Sequence, residues 1–143
     1  MTERKPRYRA RACPSEHQEQ ANFFAEARLQ FRMRDDFLEP LLFSVPNGMW
    51  AGGKNKFALM AKYKREGLHA GVSDILYLQP RGKWAYLAIE MKALDRRNDA
   101  DAVSMEQDAF LQNVKAAGGS GHVCYGAEEA MKVLTHYMDL EAQ

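Results

Sequence analysis

The chain has 143 residues, a formal net charge of +1, 46% hydrophobic and 27% charged residues. That length holds one ordinary domain and no second large core, and the composition is that of a folded protein rather than a disordered one. No apolar run is long enough to span a bilayer, and the basic N-terminus lacks the apolar stretch of a signal peptide. Together with two isolated thiols, Cys13 and Cys124, this makes a cytoplasmic protein with no membrane partner the expectation.

In chain order, residues 1–14 read as a flexible basic arm carrying Arg4, Lys5, Arg7, Arg9 and Arg11, with a single domain over 15–143. Ser15 followed by Gln18 has the form of a capping box, and helix formers run on to about Met33. Glu16, Gln20, Phe24, Ala27 and Phe31 fall on one stripe of that helix. Leu41 to Val45 reads as a short strand stopped by the Pro46-Asn47-Gly48 turn. After Gly52-Gly53 a second helix is expected from Lys54 to Arg65, ended by Gly67.

Gly71 to Leu78 and Trp84 to Lys92 read as strands around a turn of Gln79 to Lys83. A helix then runs from its cap at Ser104 to about Ala117, followed by a short strand from His122 to Tyr125 and an amphipathic helix from Ala127 to Met138. The segment from Ala93 to Val103 is polar and gives no reading. The order α-β-α-β-β-α-β-α points to an α/β fold, a mixed central β-sheet flanked by α-helices.

Lys54, Lys56, Lys62, Lys64 and Arg65 form a second basic cluster, so a polyanion could bind while the net charge stays near zero. A solvated helix face explains the same residues without a ligand. The chemistry is concentrated elsewhere. If the hairpin pairs symmetrically about Gly82, Asp74 stands opposite Glu90, and opposed residues share a face with Cβ atoms roughly 5 Å apart. Lys92, two residues on, projects from that face too.

Two carboxylates so close repel unless a cation neutralises them, and an oxygen-preferring divalent ion such as Mg2+ or Mn2+ is the economical partner. A lysine beside them can hold a water or stabilise charge growing on a phosphoryl group. The plainer alternative is a structural salt bridge on a half-exposed sheet. The four histidines show no zinc spacing, and no nucleophile elbow or phosphate-cradling loop occurs.

The ordered series Gly71-Val72-Ser73-Asp74, Glu90-Met91-Lys92 and Ser104-Met105-Glu106-Gln107 resembles the PD-(D/E)xK nuclease superfamily, with its restriction-endonuclease-like core. Within it the match is to the VRR-NUC type, particularly the small stand-alone phage and bacterial members. The likeness runs from about Ser15 to Met138 and includes the Ser-Glu-His opening of the first helix, Val45-Pro46-Asn47-Gly48, Glu66-Gly67 and Gly121-His122-Val123-Cys124. One departure is Ser73, where the family usually has proline before the first aspartate.

The resemblance implies that Asp74, Glu90 and the main-chain carbonyl of Met91 face a metal, Mg2+ or Mn2+, and that Lys92 positions the attacking water or stabilises the transition state. Glu16 would be the additional first-helix acid and metal ligand, favoured over Glu19 because its stripe includes Ala27 and Phe31. Gln107 would border the site, though a capping box begun by Ser104 is a sufficient structural reason for it. Asn47 and Gly48 would line the site, as a tight turn also explains.

The implied reaction is metal-dependent hydrolysis of DNA phosphodiesters by in-line attack, leaving a 5′-phosphate. Stand-alone members resemble Holliday-junction resolvases, so a homodimer acting on branched or four-way DNA is expected. Two alternatives remain open: a general or restriction-type endonuclease on linear duplex, and a non-cleaving DNA-binding protein on the same fold.

Overall fold

The structure, a computed structural model, describes residues 13–46 and 55–143. The basic arm, the Asn47-Gly48 turn and the Gly52-Gly53-Lys54 entry to the second helix lie outside the described residues. The regular elements follow the expected order: α1 (Glu16–Phe31), β1 (Leu42–Ser44), α2 (Lys56–Arg65), β2 (Ile75–Tyr77), β3 (Leu87–Lys92), α3 (Met105–Ala116), β4 (Ser120–Tyr125) and α4 (Ala127–Met138). They form a mixed four-stranded sheet in the order β1-β2-β3-β4, antiparallel except between β3 and β4.

Strand alternation assigns the two faces. Ile75, Tyr77, Leu87, Ile89, Met91 and Cys124 join Phe23 and Ala27 of α1 and Ala130 and Leu134 of α4 in the main core. Fully burying a large aliphatic side chain contributes about 1.5–3 kcal/mol, so this layer carries most of the apolar stabilisation. On the other face Leu111 and Val114 of α3 approach Gly121 closely enough that a Cβ there would lie 3.2 Å from Leu111. All six residues of β3 are buried, including Glu90 and Lys92.

The first helix departs from its expected stripe. Its buried residues are Glu19, Phe23, Ala27 and Phe31, a strict four-residue repeat, whereas Glu16 is only half-buried and Gln20 and Phe24 lie at the margin. Both sets contain Ala27 and Phe31; the packing against α4 selects the one that buries Phe23. Ser15 caps the helix by accepting from Gln18 N, but the Gln18 side chain turns to Asn22, so only half of the expected box forms.

The hairpin strands are shorter than their sequence signal, for identifiable reasons. Gly71 has φ +85° and packs on the first turn of α3, where a Cβ would come within 2.3 Å of Glu106 O, so the chain enters as a bend rather than a strand. On the other arm, Ala85 N donates to Gly118 O and Ser120 N to Tyr86 O, which draws residues 84–86 toward the start of β4. The turn itself is clasped by Arg81, only 2% exposed. Its guanidinium bonds Asp36 and the carbonyls of Met138 and Leu140, locking the hairpin to the C-terminal segment. The two arginines at Asp36, Arg34 and Arg81, hold that carboxyl well below the usual range.

Candidate active site

The β2–β3 register pairs Ile75 with Ile89, Leu76 with Ala88 and Tyr77 with Leu87. Continued by one residue, it sets Asp74 against Glu90, on the face opposite the main core. Asp74 sits in the bend before β2 and is held by two main-chain bonds. Its Oδ2 accepts from Met91 N at 2.8 Å, and its carbonyl accepts from Val45 N at 2.8 Å. The resemblance assigns Met91 a role through its carbonyl; the structure adds its amide, which bonds Asp74. This bond follows from Asp74 lying just beyond the strand, where its carboxylate can replace a missing ladder carbonyl.

Glu90 is 1% exposed and Lys92 6%, with Lys92 Nζ 3.1 Å from Glu90 Oε1. A charge buried this deeply is costly unless its polar atoms are satisfied. Glu90 Oε1 is, because it accepts from both Lys92 and the Gln107 amide. Glu90 Oε2 is buried and has no hydrogen-bond partner among the described residues. Burial first, and the neighbouring Asp74 second, push the Glu90 carboxyl up to about 8, against the opposing pull of Lys92.

Gln107 joins the helix to the sheet. Its Oε1 accepts from Ser104 N at 2.9 Å and from Lys92 Nζ at 3.2 Å, while its Nε2 donates to Glu90 Oε1. Ser104 Oγ accepts from Gln107 N, completing the capping box. The sequence posed cap and active-site neighbour as alternatives; one amide does both, because N3 of α3 lies directly over the β3 charges. Asp74, Glu90, Lys92 and Gln107 are therefore brought together. Asn47 lies outside the described residues.

The Glu16 side chain has no hydrogen bond or ion pair among the described residues. Glu19 is the buried acid of α1, and its Oε2 accepts from Ala127 N at 2.7 Å, capping α4. Gly126, just before α4, donates from its N–H to Lys92 O at 2.9 Å, so this contact braces the end of β3 from the core side. A signal for Glu19 was present in the four-residue repeat through Phe23, Ala27 and Phe31. The segment after β3 also acquires partners: Arg96 pairs with Asp99 and Arg97 with Glu129.

Asp74 and Glu90 offer hard oxygen donors of the type a small divalent ion takes, and the unpartnered Glu90 oxygen beside Asp74 and Lys92 fits such a group. No cluster of three or more acidic, histidine or cysteine ligands occurs among the described residues. Cys124 is buried, its thiol pushed up to about 12, and is a packing residue rather than a nucleophile.

The model of the VRR-NUC domain family matches residues 47–128, more than half of the chain. A solved structure named "VRR_NUC domain protein" superposes with a TM-score of 0.70 at 21% identity, covering 90% of this chain and 92% of that chain. No curated protein matches.

Proposed function

Since this chain belongs to the VRR-NUC domain family, and membership implies a nuclease, we propose that it is a metal-dependent DNA endonuclease whose reacting centre is Asp74, Glu90 and Lys92. The observation that carries this reading is the buried Glu90 carboxylate with one oxygen unpartnered, next to Asp74 and an ammonium group. A structural salt bridge alone gives no reason to set a second, half-buried carboxylate beside the first.

Asp74, Glu90 and the Met91 carbonyl would hold the ion, Mg2+ or Mn2+. When bound, such an ion supplies a Lewis acid and lowers the pKa of water. The chain's own groups do the rest. Met91 N fixes one oxygen of Asp74 and so aims the other. Gln107 bonds both Glu90 and Lys92, so neither side chain must be ordered at the moment of reaction. Lys92 presents a positive charge where negative charge grows on the phosphoryl oxygens, in surroundings with little water to screen it. Glu19 supports this arrangement by fixing α4 to the end of β3. Glu16 remains the acid that the resemblance names, here without a positioning partner among the described residues.

The substrate in this reading is DNA, branched or four-way, cut by a homodimer in the cytoplasm to leave a 5′-phosphate. No helix among the described residues is long and apolar enough to cross a membrane. A panel of four-way junction, linear duplex and single strand, incubated with Mg2+, Mn2+ or chelator, tests it. Metal-dependent cutting of the junction is the expected result. Cutting only linear duplex replaces the junction preference with general nuclease activity, and binding without cutting under either metal overturns the enzyme reading.

A further inference from the structure

A cavity of about 270 Å³ opens between α2 and the start of α3, lined by Met60, Lys64, Leu68, Gly71, Glu106 and Gln107 among others. It shares Gln107 with the reacting centre, and Gln107 in turn bonds Glu90 and Lys92, so one side chain separates the cavity from those charges. Its walls are of two kinds. Met60 and Leu68 are apolar, Lys64 is cationic, and Glu106 places a negative charge at the α3 end.

The helix that forms the outer wall has a further peculiarity. Phe57, Met60 and Lys64 recur at spacings of three and four, one stripe of α2. Phe57 is 85% exposed, one turn of α2 before the lining residue Met60, and α2 buries none of its residues. This helix therefore presents an aromatic, a half-buried methionine and a lysine on one stripe that the described core does not take up.

We propose that this cavity is a nucleotide subsite that seats one unpaired nucleotide of the cut strand next to the scissile phosphate. The base would lie against Met60 and Leu68 with Phe57 as its stacking face, and the phosphate at the Lys64 end, away from Glu106. The shared Gln107, the apolar Met60 and Leu68 and the Lys64 ammonium favour this occupant. A paired base cannot leave its stack to enter without a cost of a few kcal/mol, whereas one already unpaired pays least. The subsite therefore selects DNA with an unpaired nucleotide at the cut, a property of branch points and frayed ends. The inference rests on the nuclease reading above.

The test compares cutting of a fully paired duplex with cutting of the same duplex carrying one unpaired nucleotide, stepped through positions on either side of the mapped cut. The full chain is used with Mg2+ or Mn2+. At one position the unpaired substrate should be cut faster by at least about fivefold, the scale of one base–aromatic stack. Met60→Trp, which fills the cavity, and Phe57→Ala, which removes the stacking face from an exposed site, should each remove most of that ratio. Met33→Trp, at an exposed residue outside the cavity, should retain it. No preference at any position overturns the subsite, as does a ratio kept by both variants when they melt as the parent does. Cutting without preference leaves the nuclease reading standing. A parent protein that cuts neither substrate, indistinguishable from Asp74→Ala, overturns both.

Discussion

The main-chain N–H of Met91 donates a 2.8 Å hydrogen bond to Oδ2 of Asp74, so one carboxylate oxygen is committed to the fold and the other is not held by that bond. This relationship separates two substitutions that would otherwise look alike. Asp74→Asn keeps an oxygen that can accept from Met91, whereas Asp74→Ala leaves that N–H without its partner, at a cost of about 1–3 kcal/mol where it is shielded from water. Both should reduce cleavage to below about one-hundredth of the parent, and only Asp74→Ala should lower the melting temperature appreciably. Normal cutting by either variant would sink the site assignment.

Gln107 invites a test that divides its two duties. Gln107→Glu preserves the Ser-x-x-Glu form of the capping box but sets a third carboxylate against Glu90. Helix stability should hold while cleavage drops at least about tenfold through like-charge repulsion. Gln107→Ala should lose both, with about 1 kcal/mol of stability going with the cap. Paired thermal melts and cleavage rates read the split; parallel changes in both variants would mean that the cap is its whole role.

Glu90 should leave a mark on stability against pH. In the metal-free protein its carboxyl is pushed up to about 8, against an ordinary value of 4.5. Between those values the folded state holds one proton more than the unfolded, so stability falls as pH rises through this window and levels off above about 8. Glu90→Gln should flatten that slope. Added Mg2+ competes with the proton, so the stabilisation it gives should grow toward pH 8 in the parent and be lost in the variant. Chemical denaturation at several pH values, with and without chelator, measures both.

The two acids of the first helix should behave differently. Glu19→Ala removes the acceptor for Ala127 N at the start of α4 and should cost about 1–2 kcal/mol. Glu16→Ala should stay within about 0.5 kcal/mol of the parent, as for other sites without a specific contact. Cleavage by Glu19→Ala should fall modestly, because the end of β3 loses a brace while the reacting groups remain. A stable, fully active Glu19→Ala protein would remove Glu19 from the account.

Much of the fold was legible because each element carried a local signal. Ser15 and Ser104 both cap helices as their spacing suggested, and Gly67 and Gly118 adopt the positive φ that ends one. Asp74 and Glu90 could be paired across the hairpin because the register is symmetric about Gly82 and the pleat has a period of two. The stripe on α1 was less legible. Two sets of residues share Ala27 and Phe31, and only the surface of α4 distinguishes them.

The sequence by itself determined the order of elements, the sheet's mixed character and which charged residues could meet, since these depend on periodicity, turns and register, all properties of neighbouring residues. Tertiary structure alone decided how deeply Glu90 and Lys92 are buried, that Gln107 reaches both, and that Glu19 rather than Glu16 closes onto α4. The reason is that burial and side-chain partnership depend on what the rest of the chain brings up against a face. A strand's alternation names the two faces of a sheet but does not say which helix will cover either.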